Sequence, residues 1–195
     1  MVVPPSSAVP GARLEFQYFV PCSGCPGFHS GKIQPVLHDL YHRMNYWLMK
    51  SEPSEFSIDD LAKNPSKTEA WDGVRNYQAR NMLRDQMKKG DLALFYHSNC
   101  EVPGVAGIME IACAGYPDPT AFDPEDPHYD PKSDPANPRW FLVDVKFRKK
   151  FRHVIPLAEL RKVKSLGKMQ LLQKGNRLSI MPVTVKEWDT ILGIE

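Results

Sequence analysis

The run Tyr46-Trp47-Leu48-Met49-Lys50-Ser51 restricts the fold of this chain more than any other feature. It is apolar on both alternations, so a strand here has no face to give to water and needs cover on both sides of its sheet. Other segments read differently. Trp140–Arg148 alternates, with Phe141, Val143, Val145 and Phe147 facing one way and Asp144, Lys146 and Arg148 the other. Leu92–Ser98 and Val105–Cys113 read as two further strands joined across residues 99–104. Ser57, with Asp60 three residues on, caps a short helix that Asn64-Pro65 stops. Asn76–Lys89 predicts the clearest helix: Ala79, Met82, Leu83 and Met87 share a face, and Gly90 stands where a C-terminal cap belongs. Pro156–Val163 predicts another, and Thr184-Val185-Lys186-Glu187 is a capping box opening a last helix through Trp188, Ile191 and Leu192. Strands spaced this irregularly do not make a doubly wound sheet. An α+β fold, a small and mainly antiparallel β-barrel with peripheral helices, fits better.

Residues 1–43 are different in kind. Fourteen of them are Pro, Gly or Ser, and apolar periodicity does not last beyond a turn before Pro35–Tyr41, which suits a short helix. We read them as a flexible N-terminal extension added to a domain at residues 44–195, with Met44 as a candidate internal start. Cys22-Ser23-Gly24-Cys25 has the spacing of half a zinc site, but only His29 lies near it, so neither a metal site nor a cofactor is expected. Cys100 and Cys113 read as ordinary reduced thiols. The chain is 42% hydrophobic and 25% charged, as globular proteins are. No apolar run approaches the ~18 residues that span a bilayer, and no secretory signal opens the chain. The expected place is the cytoplasm of a bacterium or the nucleus of a eukaryote, away from membranes.

The most unusual composition lies in Trp71-Asp72-Gly73-Val74-Arg75-Asn76-Tyr77-Gln78-Ala79-Arg80-Asn81. Most of these side chains need a partner or water when buried, so they are poor core material. With Trp47–Pro53, Phe95-Tyr96-His97-Ser98-Asn99, Gly107–Glu110, Asn137-Pro138-Arg139-Trp140 and Arg177–Pro182, in this order, the segment resembles the EVE-domain family. The resemblance covers Met44 to the C-terminus. It implies a PUA-like fold, a small β-barrel related to YTH and ASCH domains, and an association with modified bases in DNA. In the related YTH domains a Trp corresponding to Trp71 belongs to an aromatic cage for a methylated base.

A base pocket needs π-faces to stack on and a few fixed polar groups to read the base edge. Trp71 and Tyr96 can supply faces, and Lys50, Ser51, Asp72, Asn76 and Ser98 donors and acceptors. The backbone around Gly73 and Val74 adds amides, since glycine permits close approach. Arg75 projects from the same segment, and Trp140 is a further candidate that equally suits the start of its strand. Trp47 and Trp188 belong to the core. The expectation is therefore a set of residues, far apart in sequence, converging on one pocket without catalytic groups. Strand geometry points His97 and Ser98 to opposite faces, against a nucleophile and its base.

The second footprint is charge. Residues 146–177 carry eleven Lys or Arg against the single acid Glu159, whereas residues 117–138 hold seven prolines and six acids against one lysine. Their balance hides the asymmetry in a net charge of +2. Lys149, Lys150, Arg152, Lys174 and Arg177 are candidates for phosphate contacts, the alternative being a solvated basic face. The acidic stretch is a loop long enough to be functional. These readings favour a non-enzymatic reader of a modified cytosine or adenine in DNA. An RNA-binding module, a nuclease or hydrolase acting on modified nucleic acid, and a peptide-binding module stand as alternatives.

Overall fold

The computed structural model describes residues 44–195. The expected tail, the helix at residues 35–41 and the Cys22/Cys25 pair lie outside the described residues. A six-stranded mixed sheet, curled into a half-barrel, organises the rest. Its strands, in chain order, are β1 (Tyr46–Ser51), β2 (Thr68–Ala70), β3 (Leu92–His97), β4 (Gly104–Ile111), β7 (Asp144–Pro156) and β8 (Ile180–Val183), and the spatial order is β2-β7-β4-β3-β1-β8. The short β5 (Tyr116–Pro117) and β6 (Phe141–Leu142) pair apart from it. Four of the five pairings are antiparallel, and β1 runs parallel to β3.

Both faces of β1 are covered, as its apolar run requires. Trp47 and Met49 join Ala93, Phe95, Ala106, Met109, Val143 and Val145 on one face. Tyr46 and Leu48 join Leu94, Tyr96, Val105, Phe151 and Ile155 on the other. Asp91, buried where β3 begins, accepts from the Trp47 indole, the amides of Asn45 and Lys88, and the Asn45 side chain. Four donors leave that carboxylate no unmet need.

Helix α1 (Ile58–Lys63) has the expected Ser57–Asp60 capping box, and α4 (Val185–Leu192) the Thr184–Glu187 box. The helix expected over Asn76–Lys89 is shorter. Asn76 is its N-cap, α2 covers Tyr77–Asn81, and a π-turn at Met82–Gln86 follows. The apolar face is as expected, with Ala79, Met82, Leu83 and Met87 all buried. Gly90, however, does not cap it: at φ +94° it turns the chain into β3 and donates to Ile111 O. The strand expected to end at Arg148 runs on as β7 to Pro156, past two register shifts against β4. Gly107 allows that crossing, since a Cβ there would stand 2.4 Å from Lys149 O. The following helix shrinks to α3 (Leu157–Leu160), with Pro156 before it.

Candidate functional site

The chain after β2 crosses the first of these faces. Trp71 donates its amide to Val143 O at 2.8 Å and lays its indole edge-on against Phe95, with ring centroids 5.4 Å apart. Phe56, between β1 and α1, completes a trio with Trp71 (6.4 Å) and Phe95 (6.1 Å). Trp71 is only 7% exposed, yet it is not sealed in. A cavity of about 530 Å³ opens beside it, lined by Lys50, Ser51, Glu55, Phe56, Glu69, Ala70, Trp71, Asp72, Pro127 and His128. That size suits a nucleobase or a comparable planar group.

Four sequence candidates therefore meet: Lys50, Ser51, Trp71 and Asp72. Ser51 Oγ donates to Phe56 O at 2.7 Å, tying β1 to the Phe56 turn. Burial lowers the Lys50 pKa from the ordinary lysine value, and among the described residues no carboxylate lies within ion-pair distance of it. Asp72 moves the other way. Desolvation, then the nearby carboxylate of Asp118, push its carboxyl above the usual range.

The remaining candidates sit elsewhere. Tyr96 does not converge with Trp71; it is 3% exposed in the opposite cluster, with Leu48 and Leu94. One step along a strand reverses the face, and it is Phe95 that turns toward Trp71. Ser98 only hydrogen-bonds the backbone of Ser51. Asn76 uses its side-chain oxygen to cap the amides of Gln78 and Ala79. Val74 is buried in the core. Arg75 reaches away from the cavity: it donates to Asp118 Oδ2 at 2.7 Å, to Thr120 Oγ1 at 2.9 Å and to His128 O. Trp140 lines no part of the cavity, since its indole stacks on Tyr77 and donates to Asp130 at 2.7 Å.

These displaced candidates still shape the site, because they fasten its far wall. Residues 117–138 form the loop expected from their prolines, and the loop is heavily tied. Asp118, fully buried, accepts from Gly73 N, Arg75 and both the amide and the hydroxyl of Thr120. Burial raises its carboxyl pKa, but the Arg75 and Thr120 hydrogen bonds outweigh that and hold it below the usual range. Asp130 takes the Trp140 indole and Arg139. The loop so held presents Pro127 and His128 to the cavity. Gly73, at φ +69°, lies under the His128 ring, whose Nε2 is 2.7 Å from where a Cβ would be. Only glycine suits both that backbone and that approach.

The sequence candidates do not include Phe56, Pro127 and His128, which line the cavity, or Phe95, which backs Trp71. Phe95 was signalled by its alternation with Tyr96, and the loop by its length; nothing in the sequence singled out Phe56. The basic candidates are partly committed to ion pairs: Lys149 to Glu195, Lys150 to Asp59 at 2.7 Å. Arg152, Lys174 and Arg177 are exposed. His97 Nε2 accepts the Ile58 amide at 3.2 Å, an added cap for α1. Among the described residues no group of three His, Cys, Asp or Glu side chains could hold a metal ion, and no helix is long and apolar enough to cross a membrane.

Known proteins resemble this chain in sequence and fold. Human thymocyte nuclear protein 1 is 48% identical over 180 residues, which is 84% of this chain and 80% of the human protein. A crystal structure of human THYN1 in complex with 5-methylcytosine-containing DNA superimposes with a TM-score of 0.72 at 48% identity, covering 77% of this chain and 96% of that one. A structure from Leishmania major gives a TM-score of 0.74 at 48% identity, covering 78% of this chain and 95% of that one. The EVE-domain family model matches residues 45–194. Its match takes in the sheet, both helical covers and every wall of the Trp71 cavity, and the chain belongs to the EVE-domain family.

Proposed function

We propose that this protein is a non-enzymatic module that binds a modified base of DNA, 5-methylcytosine above all, in the cavity beside Trp71. The observation that carries the reading is the cavity itself: a base-sized space walled by Trp71 and Phe56, with the Asp72 carboxylate at its side. The complex of human THYN1 with 5-methylcytosine-containing DNA, at 48% identity, supplies the ligand class. A flipped base loses a few kcal/mol of stacking and pairing, and aromatic contact returns ~1–3 kcal/mol of it. Edge hydrogen bonds must supply the remainder. Binding also suits the groups nearest to chemistry. His97 has its Nε2 committed to the Ile58 amide, and Ser98 donates to Ser51 O, so neither is posed as base or nucleophile.

Binding of the full chain to DNA oligonucleotides differing only in one cytosine C5-methyl tests this. Trp71 packs on Phe95 and Phe56, so Trp71→Leu, which keeps bulk, is a better probe than Trp71→Ala. Wild type should prefer the methylated strand, and Trp71→Leu should lose ~1–3 kcal/mol and the preference with it. A folded Trp71→Leu protein that keeps the wild-type preference would remove the cavity from consideration. Equal loss on an RNA of the same sequence would favour RNA as the working partner.

A further inference from the structure

The acids around the cavity differ in what they already hold. Glu69 accepts Asn64 Nδ2 at 2.7 Å, and Glu55, which also lines the cavity, is exposed and separated in sequence from the Trp71 segment. Asp118 has four donors, Asp126 has the His128 amide and lies 3.3 Å from its ring nitrogen, and Asp130 has Trp140, Arg139 and the Lys132 amide. Asp72 stands next to Trp71, on the cavity wall, and among the described residues its carboxylate accepts no hydrogen bond and forms no ion pair. Lys50 also lines the cavity, but its ammonium lies over the Tyr96 ring of the opposite face, 5.9 Å from the centroid, so it is not paired with Asp72 across the site. A partly desolvated acceptor thus stands beside one aromatic wall, open to a ligand.

We propose that Asp72 is the edge-reading group of this cavity and selects bases that carry an amino group at C4 of a pyrimidine or C6 of a purine. The inference rests on the base-pocket reading above and adds which bases the pocket admits. Cytosine presents an amino donor at C4 beside ring acceptors at N3 and O2, and adenine presents an amino donor at C6 beside an acceptor at N1. A carboxylate on the cavity wall accepts from that amino group. Thymine and uracil set a carbonyl oxygen at C4, where the amino group of cytosine would be. A carboxylate facing that oxygen has two acceptors and no proton between them, and such a mismatch is strongly rejected in a desolvated site. The raised carboxyl pKa of Asp72, due to desolvation and then Asp118, agrees with a group still lacking its donor.

The decisive ligands are 5-methylcytosine and thymine, which share the methyl group and the stacking surface and differ at the C4/N3 edge. Single-stranded oligonucleotides carrying one or the other at a fixed position remove the cost of opening a duplex. Wild type should favour 5-methylcytosine by ~10-fold or more. Asp72→Asn, whose amide can offer either an oxygen or an NH₂, should bring that ratio toward one while keeping 5-methylcytosine binding. Asp72→Glu should retain the preference, and Asp72→Ala should weaken 5-methylcytosine and relieve the rejection of thymine, so that the ratio falls toward one. Unfolding curves confirm that each variant is folded, as expected for an exposed residue. An unchanged ratio in Asp72→Asn overturns the assignment. So does wild-type binding of thymine equal to 5-methylcytosine while Trp71→Leu weakens both, and in that case the base pocket itself survives. A folded Trp71→Leu protein that binds 5-methylcytosine with the wild-type affinity and preference would instead take both readings down together.

Discussion

The two faces of the sheet are built from the same strands and finished differently. On one, Tyr46, Leu48, Leu94 and Tyr96 meet Phe151 and Ile155 of β7, Trp188 and Ile191 of α4, and Leu160, Leu166 and Leu171. The cover is built of apolar side chains. On the other, Met49, Ala93 and Phe95 meet Ile58 and Leu61 of α1 and Leu83 beyond α2, and then the Trp71 segment and the acidic loop arrive. Those bring prolines, aspartates and a histidine where the first face has leucines, and a cavity remains beside Trp71. A site arises here because part of the cover is fastened by buried polar ties rather than by packing. Its side chains are held firmly without filling the space they enclose.

Adjacent residues of β3 give the sharpest way to break this contrast. Leu94→Ala opens the sealed face and should cost ~2–5 kcal/mol in denaturant unfolding, leaving the base preference of the surviving folded protein intact. Phe95→Ala should cost ~3–5 kcal/mol, and it also removes the ring against which Trp71 lies edge-on. Its preference for the methylated base should fall with it. Equal effects of the two on base preference would mean that the faces are not functionally distinct.

Much of this was legible from the residues. The double apolar alternation of Tyr46–Met49 demands two covered faces, the capping boxes at Ser57 and Thr184 mark their helices, and the odd polarity of Trp71–Asn81 marks the site. What failed did so for local physical reasons. Tyr96 and Phe95 are equally plausible from composition, and only the register of β3 decides which ring meets Trp71. All four tryptophans are nearly buried, Trp71 and Trp140 at 7% and 6%, so burial does not distinguish a pocket wall from a core residue. Arg75 and Asn76 resemble ligand groups in the sequence because they are polar near a helix start. One holds the loop and the other caps the helix, and both roles depend on where a distant aspartate or a nearby amide comes to lie.

The polar ties themselves are tested next. Arg75→Met leaves the buried Asp118 carboxylate without its guanidinium and should cost ~1–3 kcal/mol. It should also weaken binding of every base, by letting Pro127 and His128 drift from the cavity. Acid distinguishes a tie from simple packing. The Asp118 pKa is depressed in the fold, so the unfolded chain binds its proton first, and the stability from this pair is complete above the ordinary aspartate range near pH 4. That stability is lost as pH falls through the lower folded pKa. Thermal unfolding of wild type should decline over this window more steeply than that of Arg75→Met. Parallel pH profiles would show that the loop is held by something other than this carboxylate.

The smallest expected effect separates the basic strand from both faces. Lys149 and Lys150 are neighbours on β7, yet they fasten opposite covers: Lys149 pairs with Glu195, just beyond α4 over the sealed face, and Lys150 with Asp59 of α1 over the cavity face. Both pairs involve well-exposed lysines, so each alanine substitution should cost at most ~1 kcal/mol. A phosphate contact changes the salt dependence of DNA binding by roughly one unit of log–log slope. A lysine already held by a carboxylate releases fewer counterions, so Lys149→Ala with Lys150→Ala should flatten the slope by less than two units in total. Base preference should not change in either single variant. If Lys150→Ala alone alters it while Lys149→Ala does not, the α1 cover is coupled to the cavity through Asp59, and the difference between the faces extends to their outer surfaces.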